Sequence, residues 1–268
     1  MRQWRLIYDS PMNGAANMAA DEAILQAVAQ GASPPTLRLY GWEPFCLSLG
    51  YGQSLKDVDL AALEARGWNL VRRPTGGRAI LHGDELTYSV ALPADHPLAQ
   101  GAILDSYLRL SAALLQAMTA LGASVTADPD GAPGGAKGAV CFEVPSRYEI
   151  TFGGKKLIGS AQVRKHGGML QHGTIPLWGD IGRICDVLCY ATDAERAAAR
   201  QLVGERATTL ESAGVWVTWE AAAAALVDGF AATLDIDLIQ DGLTPAELAR
   251  ADELYREVYS TDAWNHKR

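Results

Sequence analysis

The chain has no apolar run approaching the roughly 20 residues that a membrane-spanning helix needs, so a membrane partner is not expected. Its opening, MRQWRLIYDSP, meets charge and proline before any signal-peptide apolar region develops, and a cytoplasmic protein is expected. Cysteine is scarce: Cys46, Cys141, Cys185 and Cys189, with no CxxC pair. That excludes a zinc knuckle or a dithiol redox motif and leaves free thiols in a reducing compartment. Basic charge is the minority sign, 23 Lys and Arg against 31 Asp and Glu. Duplex binding draws most of its affinity from phosphate neutralisation, so nucleic acid is not an expected partner. Internal repeats, coiled-coil heptads, GxGxxG and GxxxxGK[ST] are all missing, as is metal-ligand spacing among the histidines, and neither a metal nor another cofactor is implied. What is present is ordinary globular material, 49% hydrophobic and 20% charged over 268 residues, enough to bury a substantial core.

Strand and helix signals alternate without a strict βαβ rhythm. TLRLYGW (36–42) and FCLSLGY (45–51), split by Glu43-Pro44, read as neighbouring strands. LAALEARG (60–67) has helical spacing and a glycine stop, NLVRRP (69–74) runs as a strand into Thr75-Gly76-Gly77, and LTYSVAL (86–92) alternates like a half-buried strand. Residues 102–121 carry leucines at core-helix spacing, and DPDGAPGGAKG (128–138) is the clearest flexible segment. RYEITF (147–152), KKLIG (155–159) and GMLQHGTIPL (168–177) follow as strands. The final third reads as helical at 192–202, 219–234 and 243–260, the last opened by a Thr244/Glu247 capping box with Pro245 at the first helical position. Cys185 and Cys189 are spaced for one helix face. These signals predict an α+β domain, a mixed β-sheet flanked by helices.

Unusual residues concentrate in 72–89, 141–150 and 155–174. Arg72 and Arg73 precede paired glycines, a combination suited to a phosphate or carboxylate, although a plain hairpin turn explains Gly76-Gly77 equally well. Cys141 follows the flexible stretch and precedes a strand. Between Lys137 and Lys165, six basic residues against two acidic ones leave a local +4 in a chain of net −8. Such a field lowers a thiol's pKa and favours thiolate, while a solvated basic face is the plain alternative. The third segment joins Lys156 to a small-residue Gly159-Ser160-Ala161 stretch and to Gln171-His172-Gly173.

The three segments in this order, with RRPTGG…H…YS and KKLIGSAQ, resemble the lipoate and biotin protein ligase/transferase superfamily, and NMAADEAIL (17–25), the strand pair ending in Gln53 and the terminal YSTDAWN (259–265) extend the match over nearly the whole chain. Cys141-Phe142-Glu143 ahead of KKLIGSAQ, with LQHGTI, is similar to its cysteine-dependent octanoyltransferases. Arg78 stands where many ligases carry a third glycine, and the GRGRxGR biotin signature is absent. The resemblance implies a biotin/lipoate protein ligase catalytic-domain-like fold and a single catalytic domain over 1–268, with a core at about 30–235 and a helical C-terminal extension at 243–268. It implies transfer of octanoyl from octanoyl-acyl carrier protein to a lysine of a lipoyl domain or the glycine-cleavage H protein, by a monomer without cofactor. Cys141 would hold the octanoyl thioester, and Lys156 would lower its pKa and orient the carbonyl. Arg73, Gly76, Gly77, His82, Gly159, Ser160 and His172 would line the acyl tunnel or its mouth. An ATP-dependent lipoate or octanoate ligase, an amidotransferase between lipoyl domains and a non-catalytic carrier-binding module are the competing readings.

Overall fold

The computed structural model describes residues 2–127 and 150–267. Cys141, the stretch 128–138 and the first half of the 147–152 strand lie outside the described residues.

In chain order the elements are β1 (Gln3–Tyr8), α1 (Gly14–Ala29), β2 (Thr36–Tyr40), β3 (Cys46–Leu49), α2 (Leu60–Ala65), β4 (Asn69–Arg72), β5 (Ile80–His82), β6 (Glu85–Pro93) and α3 (Ile103–Ala120). They continue with β7 (Val125–Ala127), β8 (Ile150–Phe152), β9 (Lys155–Lys165), β10 (Gly168–Pro176), α4 (Asp193–Arg206), α5 (Trp219–Leu234), β11 (Asp237–Gln240), α6 (Pro245–Leu254) and α7 (Asp262–Asn265). Eight strands form a mixed sheet in the order β11-β1-β2-β6-β10-β9-β8-β7, and three form a smaller sheet, β4-β3-β5. The α+β expectation holds. No described helix is long and apolar enough to cross a membrane.

The two predicted neighbours at 36–42 and 45–51 part company. Both edges of β2 are taken, by β1 and β6, so β3 pairs instead with β4 and β5 and founds the second sheet. The alternation in LTYSVAL also reads differently in three dimensions: β6 is buried along almost its whole length rather than half-exposed. Its polar side chains face partners, Thr87 accepting from Trp42 and Ser89 donating to Asp21, so the alternation marks an internal polar layer. Cys185 is buried inside a short 3-10 helix (Ile181–Val187), whereas Cys189 lies beyond the helix end and is exposed, so the two do not share a face.

One core cluster packs α3 and α5 against the large sheet, through Leu110, Leu114, Leu226 and Phe230. Core residues also come from outside 30–235: Trp4 and Leu6 from β1, Met18 from α1, and Leu254 and Tyr259 from the C-terminal segment. The Thr244/Glu247 capping box forms as expected. Its Glu247 additionally takes a buried bidentate ion pair from Arg5 at 2.7 and 2.6 Å, which ties α6 to β1. The strand β11, an unforeseen element in the helical third, adds to the sheet edge beside β1.

Candidate active site

Between the two sheets lies a cavity of about 110 Å³ with mostly apolar walls. Seven of the residues singled out in the sequence meet there: Arg73, Gly77, His82, Lys156, Gly159, Ser160 and His172. Gly76 stands just outside the lining and contributes through its carbonyl. Cys141 lies outside the described residues.

The glycine turn is built around Arg73. Its guanidinium donates to the Ser48 carbonyl and hydroxyl at 3.1 Å and to the Gly76 and Arg78 carbonyls at 2.9 and 2.7 Å. Gly77 sits at φ +97°, and a Cβ there would approach Arg73 Nη2 to 2.7 Å, so this position needs glycine on two counts. Arg78 takes part through its backbone carbonyl.

Two imidazoles form opposite walls, each held between a hydroxyl and a buried carboxylate. A carboxylate accepts only, so His82 donates from Nδ1 to Glu85 (2.7 Å), and its Nε2 shares a hydrogen bond with Ser48 Oγ (2.7 Å). The ring stacks on Trp42, centroids 4.0 Å apart and planes 10° from parallel. On β10, His172 accepts at Nε2 from Thr75 Oγ1 (2.7 Å), and its Nδ1 faces Asp21 Oδ2 at 3.4 Å. All four ring nitrogens are thereby satisfied within the protein, which is what an imidazole needs in order to border an apolar cavity.

The electrostatics follow from burial. Burial holds the His172 pKa below its usual value, against the pull of Asp21 and with help from the neighbouring Arg73 and His82, so the ring is neutral at physiological pH. Burial would raise the Asp21 carboxyl, but Arg38, His172 and Ser89 together hold it below the ordinary range. For Glu85, burial is likewise outweighed, by His82 and neighbouring threonine hydroxyls.

Lys156 enters from β9 and is buried, while Lys155 points outward, its Nζ donating to the Gly204 carbonyl at 2.5 Å. Neighbours on a strand face opposite sides. The Gly153-Gly154 turn, both residues at positive φ, joins β8 to β9. Gly159 leaves room for the lysine, since a Cβ there would lie 3.1 Å from Lys156 Cε.

The chain as a whole is similar to known proteins. The family profile described as the lipoyl protein ligase A/B catalytic domain aligns with residues 13–231. The chain belongs to that family. Among relatives of this lipoyl ligase-type domain, the octanoyltransferase LipM of Kyrpidia tusciae is 42% identical over the whole of both chains. The octanoyltransferase LipM of Moorella thermoacetica is 43% identical, covering 99% of this chain and 98% of that one. A solved bipartite lipoate protein ligase from Thermoplasma acidophilum superposes with a TM-score of 0.84 at 27% identity, covering 99% of this chain and 97% of its own. A lipoate-protein ligase A solved with ATP gives 0.81 at 28% identity, with 98% of each chain covered.

Sequence reasoning missed Trp42 and Ser48 as parts of the walls, and Thr75, Asp21 and Glu85 behind the histidines. Two signals were readable: Asp21 and Glu22 are adjacent carboxylates inside the largely apolar NMAADEAIL helix, and Glu85 follows His82 by three residues. Neither identifies its partner without the fold.

Proposed function

We propose that this chain is an octanoyltransferase that moves an octanoyl group from octanoyl-acyl carrier protein to a lysine of a lipoyl domain, the glycine-cleavage H protein being the acceptor in view. The observation that carries the reading is the cavity itself: mostly apolar walls, satisfied imidazoles and a buried lysine, in a chain whose full-length relatives are named octanoyltransferases. An eight-carbon chain gains about 0.8 kcal/mol for each methylene it buries, so such a cavity suits an acyl group.

We assign Cys141 as the acyl carrier. Its thiolate attacks the thioester carbonyl carbon, the bond to the carrier's sulfur breaks, and the released carrier thiolate takes up a proton. Thioester exchange is nearly isoenergetic and needs no nucleotide. The acceptor lysine, as its neutral amine, then attacks the Cys141 thioester. The amide forms, the amine gives up a proton, and Cys141 leaves as the thiol. Lys156 serves both steps: its ammonium favours the Cys141 thiolate and the developing carbonyl oxyanion, and disfavours the charged form of the incoming lysine. Arg73 and Gly77 shape the mouth through the Gly76 turn, and His82, Gly159, Ser160 and His172 border the chain.

The test is intact-mass analysis after mixing the protein with octanoyl-acyl carrier protein without ATP. One octanoyl group should add, and Cys141→Ala should abolish the adduct. An adduct elsewhere, or none, refutes the assignment. The likeness to a ligase solved with ATP supports a second reading, activation by nucleotide. Transfer that stops when apyrase removes ATP would favour it. An octanoylated lipoyl domain offered as donor separates an amidotransferase from both.

A further inference from the structure

The small sheet ends at β4, whose outer edge has no strand beside it among the described residues. At Arg72, the last residue of β4, the outward-facing backbone groups are nonetheless both satisfied, by side chains from a segment almost two hundred residues later. Arg72 N donates to Asn265 Oδ1 at 2.7 Å, and Trp264 Nε1 donates to the Arg72 carbonyl at 2.7 Å. The pair supplies one acceptor and one donor at the spacing a neighbouring strand would offer. The buried Arg72 guanidinium completes the lock, donating to the Asn265 carbonyl at 2.9 Å and to the Gly50 and Gln53 carbonyls at 2.9 and 2.6 Å. Asn265 Nδ2 in turn donates to the Tyr259 carbonyl at 2.8 Å. Lys267 lies over the Tyr51 and Trp264 rings, 3.8 and 3.3 Å from their centroids.

Arg73, the next residue, carries the guanidinium around which the cavity's glycine turn is built, and Thr75 reaches across to His172. The chain therefore leaves the Asn265 contact and enters the cavity wall within one residue. We infer that the Thr261–Lys267 segment is a latch that positions the Arg73–Gly77 turn, and that Asn265 is its positioning residue. The hydrogen bonds of this lock reach no strand of the large sheet, so releasing them should loosen the turn without dissolving the fold. The inference rests on the reading that the cavity takes the octanoyl chain, and goes beyond it by making the C-terminal segment part of the transfer machinery.

Two variants test it. Asn265→Ala removes the acceptor, leaving the buried Arg72 N–H unpartnered. Trp264→Phe removes only the indole donor and keeps a ring against Tyr51 and Tyr259. Hydrogen exchange on the full chain should show the Thr75–Gly77 amides opening at least about fivefold faster in Asn265→Ala, the lower end of the loss for an unsatisfied buried group. Cys141 acylation by octanoyl-acyl carrier protein should fall about tenfold in kcat in Asn265→Ala and less in Trp264→Phe, with KM for the carrier held. A merely structural contact would lower Tm and leave kcat unchanged well below it. By reciprocity, octanoylation of the wild-type enzyme should slow exchange at Trp264–His266. Unchanged exchange at Thr75–Gly77 in Asn265→Ala overturns the latch, as does a wild-type kcat in both variants. If the turn responds but the wild-type enzyme takes no octanoyl group from the carrier, the latch stands and the functional reading is what falls.

Discussion

Asp21→Asn probes a buried carboxylate on which four side chains converge. Asp21 is fully buried and accepts from Arg38 Nη1 at 2.8 Å, Ser89 Oγ at 2.8 Å and Tyr40 Oη at 2.9 Å, with His172 Nδ1 at 3.4 Å. An amide keeps the shape but removes the charge and turns one acceptor into a donor aimed at donors. Breaking one side of a buried ion pair costs about 3–5 kcal/mol. Asp9, 2.6 Å from Arg38 Nε, still offers the guanidinium a counter-ion, which places the loss near the lower end, about 3 kcal/mol. Against a total stability of about 5–15 kcal/mol, that is a large fraction of the whole. At about 2–4 °C per kcal/mol for a chain approaching this size, Tm should drop by roughly 6–12 °C. Thermal and urea unfolding of Asp21→Asn, Arg38→Met and the double variant would measure the coupling. The double variant should lose distinctly less than the sum of the singles, because the uncompensated charge is gone. A drop below about 1 kcal/mol in Asp21→Asn, or strict additivity in the double variant, would refute the claim that this pair is energetically coupled.

Stability should also fall on acidification in two stages. His172 has a folded pKa below the unfolded 6.5, so the unfolded chain binds the extra proton first and stability is lost as pH drops through 6.5 toward the folded value. Asp21 and Glu85, both depressed, contribute stability above their unfolded values of 3.8 and 4.5 that disappears as pH falls below them. Tm followed from pH 7.5 to 4 should show the first stage flattened in His172→Gln; an unchanged slope there would contradict the assignment. Lys156→Ala should raise the pH midpoint of Cys141 alkylation and slow octanoyl transfer at least about tenfold, with Lys156→Arg recovering part and Lys155→Ala leaving both readouts in place. Equal defects in Lys155→Ala and Lys156→Ala would sink that distinction. Gly77→Ala forces a side chain into φ +97° against Arg73 and should cost about 1–3 kcal/mol, with octanoyl transfer impaired more than folding; a neutral effect on both unfolding and transfer would remove the glycine argument.

Much of the fold was legible because local signals and global placement agree there. Trp219–Leu234 and the capped helix after Thr244 formed where spacing and capping chemistry placed them. The errors arose where tertiary pairing decides. Nothing local to FCLSL says that β2 has no edge left to offer, and nothing in LTYSVAL distinguishes water from buried Asp21 as the partner of Ser89. For the cavity, the motif residues were visible because glycine, arginine and histidine are conspicuous in strands. Trp42 and Ser48 were invisible because each looks like ordinary strand composition until a second, distant segment gives it a partner, and Asp21 showed only as a carboxylate whose partner the sequence does not name.

The hydrogen bond from Thr75 to His172 has a further consequence, because it joins a loop of the small sheet to a strand of the large one. With Trp42 donating to Thr87 on the large sheet and stacking on His82 of the small one, the cavity is strung between two stiff plates by a few cross-ties. Its calibre is therefore a property of the gap between plates. Residues far from the lining, wherever they wedge the sheets apart or let them settle together, can retune what the cavity admits. Ligand entry should be felt as a change in how far the plates breathe, more than as the swing of any single loop.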